Sequence, residues 1–113
     1  MTADADAVLG RLAATIAARR GGDPAASHTA ALLARGPGKC AEKFGEEAVE
    51  AIVAAAAGDR VAVVAEAADV IYHLLVMLAA RDVAWSEVAA ELARREGRSG
   101  VAEKASRGDA RRG

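Results

Sequence analysis

A chain of 113 residues is one domain by size, and its 15 Lys and Arg against 16 Asp and Glu leave none of the basic field that nucleic-acid binding needs. Thirty-two residues are alanine, the best helix former, while Phe, Trp and Tyr occur once each, which argues against an aromatic-rich β-sandwich and predicts an all-α fold. The 28 larger apolar residues make a thin core, so a helical bundle of four to five helices completed by homodimerisation is expected.

Residues 4 to 19 carry Val8, Leu9, Leu12 and Ile16 at helical spacing and read as an amphipathic helix, part of an N-terminal extension over 1–20. The Met1–Asp6 start is acidic, unlike a secretory signal. Gly21-Gly22-Asp23-Pro24 stops the helix. Ser27 is positioned to cap a short second one carrying Ala30, Leu32 and Leu33, and Gly36-Pro37-Gly38 reads as the turn after it. A longer helix follows from about Lys39 to Ala57 and ends at Gly58, a C-terminal cap. Cys40 sits in it alone, with no cysteine to pair with, which fits a reducing cytoplasm.

Val61 to Arg81 is too long for a strand, and its apolar residues cover nearly the whole circumference, so it is expected to be buried on most sides. Its longest uncharged stretch, Val70 to Ala80, is 11 residues, short of the roughly 20 that span a bilayer, so no membrane partner is expected. A last helix spans about Trp85 to Glu96. The single domain therefore covers 1–96. Residues 97–113 hold five cations against two acids and read as a solvated basic tail.

Two acids break the apolar pattern of the fourth helix. Glu66 and Asp69 are i, i+3 and share a face, which His73 continues at i+4 from Asp69. Ionised carboxylates in such surroundings need a cation, basic partners or water. The preceding helix offers Glu47 and Glu50, also i, i+3, with Glu46 alongside. If Gly58-Asp59-Arg60 folds the two helices back on each other, the axial rise puts all four of Glu47, Glu50, Glu66 and Asp69 within about two turns. Like charges 4 Å apart repel by about 1 kcal/mol in water and about 4 kcal/mol at an effective dielectric of 20, so four such groups demand neutralisation. Hard oxygen donors without cysteine favour Mg²⁺ or Mn²⁺ over zinc, and Mg²⁺ commonly serves phosphoanhydride chemistry. His73 reads as a hydrogen-bonded core histidine, Tyr72 and Trp85 as packing residues.

The order Glu46-Glu47-x-x-Glu50, then Glu66-x-x-Asp69, resembles the signature of the all-α NTP pyrophosphohydrolase (MazG-like) superfamily. Within it, Ser27 to Gly36, Lys39-x-x-x-Lys43-Phe44-Gly45-Glu46-Glu47-Ala48-Val49-Glu50 and Glu66-Ala67-Ala68-Asp69-Val70-Ile71-Tyr72-His73-Leu74-Leu75-Val76 are similar to the phosphoribosyl-ATP pyrophosphohydrolases of histidine biosynthesis. The likeness covers about residues 27 to 96. It implies a cytoplasmic, homodimeric, Mg²⁺-dependent hydrolase that cleaves phosphoribosyl-ATP between its α and β phosphates, giving phosphoribosyl-AMP and pyrophosphate. By position, it implies that Glu47, Glu50, Glu66 and Asp69 hold the metal, that Glu46 orients or deprotonates water, and that Lys39 and Lys43 meet phosphates. Ser27 and Thr29 become possible substrate contacts. His28 and Ala31 depart from the tyrosine and basic residue common at those places. Two other readings stand beside this one: a housecleaning (d)NTP pyrophosphohydrolase, and a non-catalytic dimerisation module whose acids bind basic partners.

Overall fold

The computed structural model describes residues 4–98, 100, 104 and 107. In chain order it forms α1 (Ala5–Ala18), α2 (His28–Ala34), α3 (Pro37–Ala57), α4 (Arg60–Ala80) and α5 (Trp85–Arg95), and no strand occurs among the described residues. The basic tail expected over 97–113 lies outside the described residues except at 97, 98, 100, 104 and 107.

Local chemistry explains the boundaries. The Asp4 carboxylate accepts hydrogen bonds from the backbone N–H groups of Asp6 and Ala7 and so caps α1. Ser27 caps α2, its Oγ accepting from the Ala30 N–H at 3.1 Å. Pro37, read in the sequence as part of a turn, is instead the first residue of α3. Its fixed φ and missing N–H suit that position, and Gly36 before it takes a φ of 92° that other residues resist. Gly58 ends α3 in the left-handed conformation, φ 74°, as its place in the sequence predicts. Asp59 then caps α4, its side chain accepting from the Ala62 N–H. These two residues are the whole connection, so α3 and α4 lie antiparallel against each other along their length.

The core sits at the far end of this hairpin from the turn. Ile16 of α1, Leu32 of α2, Cys40 of α3 and Leu75 and Val76 of α4 form one buried cluster, edged by Leu9, Leu12, Leu33, Met77 and Trp85. The N-terminal extension thus contributes Ile16, 1% exposed, to the centre of the domain. Cys40 is a filler: its thiol donates to the Leu32 carbonyl, and burial pushes its pKa up, which keeps it protonated. An ion pair between Arg20 and Asp82 ties the end of α1 to the turn after α4.

Burial of α4 differs from the expectation. Only Leu75 and Val76 are buried in the chain, while Val61 and Val64 near its start are 81% and 67% exposed. Val49, Ile52 and Val53 of α3 are exposed as well. The physical reason is that α1 and α2 cover only the core end, leaving the turn end of the hairpin uncovered. Helix α5 buries no residue and is stiffened from its own surface. Glu91 is held down to a pKa of about 2 by hydrogen bonds from Arg94 and Arg95, and Glu87 accepts from the Ala84 N–H at 2.7 Å.

Candidate metal centre

The antiparallel hairpin brings acids of α3 opposite acids of α4. Glu47, Glu66 and Asp69 converge until a carboxylate oxygen of each lies within 4.8 Å of the others. Glu50, one turn beyond Glu47, is close enough to act on both Glu47 and Glu66 by charge. The four acids singled out from their spacing are therefore neighbours, and the distance scale is that of oxygens sharing one divalent cation.

The electrostatics follow from the crowding. Desolvation raises the pKa of Glu47, reinforced by the charges of Glu50 and Asp69, while His73 acts in the opposite direction. Glu66 is raised for the same first reason, then by Glu50, Asp69 and Glu47. One of its oxygens, Oε2, is buried without any hydrogen-bond partner. An anionic oxygen hidden from water and left unpaired is strongly unfavourable, and a hard cation supplies what it lacks. The donor set fits Mg²⁺ or Mn²⁺: carboxylates from two rigid helices, with no thiolate among them.

A raised carboxyl pKa in the folded state means that the fold binds a proton more tightly than the unfolded chain does. Stability from this source is present below the ordinary carboxylate range and is lost as pH rises through the raised values. In chelator at neutral pH, Glu66→Gln is therefore expected to melt above the wild-type chain, with the gap closing towards pH 4. Addition of Mn²⁺ should reverse the order. Thermal melts across pH, with EDTA and with Mn²⁺, check this; identical melting of the two proteins in chelator would contradict it.

The remaining candidates are placed around the cluster. Glu46 lies on the exposed flank of α3, its Oε2 accepting from Lys43 Nζ at 3.3 Å, rather than among the converging oxygens. Lys39 pairs with Glu42 at 3.2 Å. Such exposed ion pairs hold their partners weakly, so both ammonium groups are available to an incoming anion. Ser27 is occupied as the cap of α2. Thr29 shares a hydrogen bond between its hydroxyl and that of Tyr72, on α4.

Two features escape a reading of spacing. The Thr29–Tyr72 bond joins positions 43 residues apart, and nothing local announces it. His73, expected as a hydrogen-bonded core histidine, buries its Nδ1 without a partner, while its ring meets that of Tyr72 edge-on with centroids 5.0 Å apart.

A groove of about 410 Å³ borders the cluster at the turn end, walled by Val49, Val53, Ala57 and Ala62 together with Glu50 and Glu66. The acid site thus opens onto the uncovered apolar face. A second groove of about 340 Å³, between α1 and the end of α4, is lined by no titratable residue.

Residues 9–96 match the family described as phosphoribosyl-ATP pyrophosphohydrolase. Proteins named phosphoribosyl-ATP pyrophosphatase are similar over nearly their whole length. The one from Cereibacter sphaeroides (strain ATCC 17025) is 72% identical over 101 residues, which is 89% of this chain and 98% of its own. That of Dinoroseobacter shibae is 73% identical over 100 residues, 88% of this chain and 98% of its own. The Paracoccus denitrificans protein is 71% identical over 99 residues, 88% and 92% of the two chains.

Proposed function

The chain belongs to the phosphoribosyl-ATP pyrophosphohydrolase family, and on that premise we propose that its α3–α4 acids hold the divalent ion with which it hydrolyses phosphoribosyl-ATP to phosphoribosyl-AMP and pyrophosphate in histidine biosynthesis. The observation that carries the site assignment is the convergence of Glu47, Glu66 and Asp69 around a buried, unpartnered Glu66 oxygen.

Mg²⁺, when bound, supplies positive charge against the α and β phosphates and makes the attacking water more acidic. Glu47, Glu50, Glu66 and Asp69 would hold it. Glu46, next in sequence to a ligand yet outside the cluster, orients the water and accepts its proton at a carboxylate oxygen once Lys43 turns away. Lys43 and Lys39 then exchange their acidic partners Glu46 and Glu42 for phosphate oxygens, which stabilises the departing pyrophosphate. Ser27, the cap of α2, and Thr29, in its first turn, are assigned to the rest of the substrate through backbone groups, since their hydroxyls are taken up by the Ala30 N–H and by Tyr72.

The exposed Val49, Ile52, Val53, Val61 and Val64 support a homodimer in which the turn ends of two hairpins cover each other. Because Glu50 and Glu66 line the groove on that face, such a partner also walls the site. Helix α4 is long and apolar enough to cross a membrane by length and composition, yet it carries Glu66 and Asp69 towards α3. Its apolar surface is assigned here to the dimer and the protein to the cytoplasm.

Pyrophosphate release from phosphoribosyl-ATP, measured beside the common NTPs and dNTPs with and without Mg²⁺, tests the assignment. Phosphoribosyl-ATP is expected to be turned over at least about a hundredfold more efficiently, as substrates whose distinguishing groups are bound by polar contacts are discriminated. Dominant turnover of dNTPs would replace the substrate, and no metal-dependent release from any nucleotide would leave only a helical interaction module.

A further inference from the structure

The groove at the turn end of the hairpin adjoins the metal centre, and no part of the substrate has been placed in it. Its walls are Val49, Val53, Ala57 and Ala62, with Glu50 and Glu66 where it meets the acid cluster, and it holds about 410 Å³. Apolar walls with a few polar groups are the usual make-up of a small-molecule site, for which about 300–1,000 Å³ is typical. The groove between α1 and the end of α4 touches none of the acids.

The order of residues along α3 supplies a direction. Lys43 and Lys39, assigned to the departing pyrophosphate, lie about 6 and 12 Å from Glu47 along the axis, towards the start of the helix. Val49, Val53 and Ala57 lie about 3, 9 and 15 Å from it in the opposite direction. A nucleoside 5′-triphosphate is a linear sequence of base, ribose and α, β and γ phosphates. With the bond between the α and β phosphates at the metal and the last two phosphates on the lysines, the nucleoside extends towards the turn and into the groove.

We propose that this groove is the subsite for the adenine of phosphoribosyl-ATP, the planar base packing against Val49, Val53, Ala57 and Ala62. Alanine at 57 and 62 leaves room that a larger side chain would fill. The inference rests on the metal-site reading above and adds to it the side on which the nucleoside lies, which leaves the phosphoribosyl arm to the α2 backbone.

The full-length protein in Mg²⁺ is tested with three competitive inhibitors: AMP, ribose 5-phosphate, which lacks only the base, and pyrophosphate. Wild type should bind AMP at least about tenfold more tightly than ribose 5-phosphate, as burial of apolar base surface predicts. In Ala57→Leu that ratio should fall to near one while pyrophosphate binds as before, since a few extra carbons in an apolar pocket cost about tenfold or more. Val53→Ala, which removes a wall, should lower the ratio as well. Methyl NMR of the wild-type protein needs no variant: AMP should shift the Val49 and Val53 methyls, and ribose 5-phosphate should not.

A ratio near one in wild type, an undiminished ratio in Ala57→Leu, or AMP-induced shifts at Leu75, Leu78 and Val83 of the other groove instead would each overturn the proposal. Metal-dependent pyrophosphate binding without any preference for AMP removes the base subsite and leaves the metal site standing. If wild type and Glu66→Gln bind Mn²⁺ equally, the metal-site reading itself fails and this inference falls with it.

Discussion

Glu47→Gln and Asp69→Asn are each expected to lower kcat/KM for phosphoribosyl-ATP at least about a hundredfold while leaving helical content intact and, in chelator, a melting temperature no lower than that of the wild-type chain. Each substitution keeps the side chain's shape and removes one anionic oxygen from the α3–α4 cluster. Groups that merely orient a metal's ligands already account for about ten- to a hundredfold in affinity or activity, so loss of a ligand costs no less. Stability should not suffer, since Glu47 is one of the two acids whose ionised form is disfavoured by desolvation and by the acids around it. The double variant should be little worse than either single one, because ligands of one ion act as a unit. Normal activity in both single variants, assayed at saturating Mg²⁺, would remove them from the ligand set.

The second large effect concerns the uncovered face. Ile52→Glu is expected to convert a dimer into a monomer, weakening association by at least about a hundredfold as measured by analytical ultracentrifugation. Ile52 is 66% exposed in the chain and lies on α3 beside the exposed Val49 and Val53. Full burial of such a side chain contributes about 1.5–3 kcal/mol, and a two-fold interface counts it twice. A buried glutamate without a partner adds a further penalty. With the groove beside Glu50 and Glu66 opened to water, activity should fall together with association. A wild-type chain that sediments as a monomer at micromolar concentration would refute the dimer.

Much of this architecture is legible from local patterns. The helices appear where periodicity and caps put them, because Gly58 and Ser27 each solve a problem of unpaired backbone groups within a few residues. The start of α3 is displaced because Pro37 at a first helical position and Pro in a turn share the same preferred φ. The convergence of Glu47, Glu66 and Asp69 follows from spacing plus a tight hairpin, both local. What spacing does not carry is the contact between α2 and α4. Thr29 and Tyr72 meet only after α1 and α2 have packed on the core end of α4, so the bond belongs to tertiary structure. Likewise, an all-round apolar helix says that α4 is to be covered but not by what. In the chain α3 lies along it, yet only Leu75 and Val76 are buried.

The two-residue link at Gly58 and Asp59 bears on how the molecule is assembled. Its shortness keeps the pairing of α3 with α4 close in sequence, so closing that hairpin costs little chain entropy and places most native contacts at low contact order. Such a chain folds fast, and its acid oxygens are brought into register by nearest neighbours along the backbone rather than by remote segments. An insertion at that link would slow folding and misalign the carboxylate oxygens of Glu47, Glu66 and Asp69 in one stroke, whereas lengthening the Gly21–Ala26 loop would leave them in place.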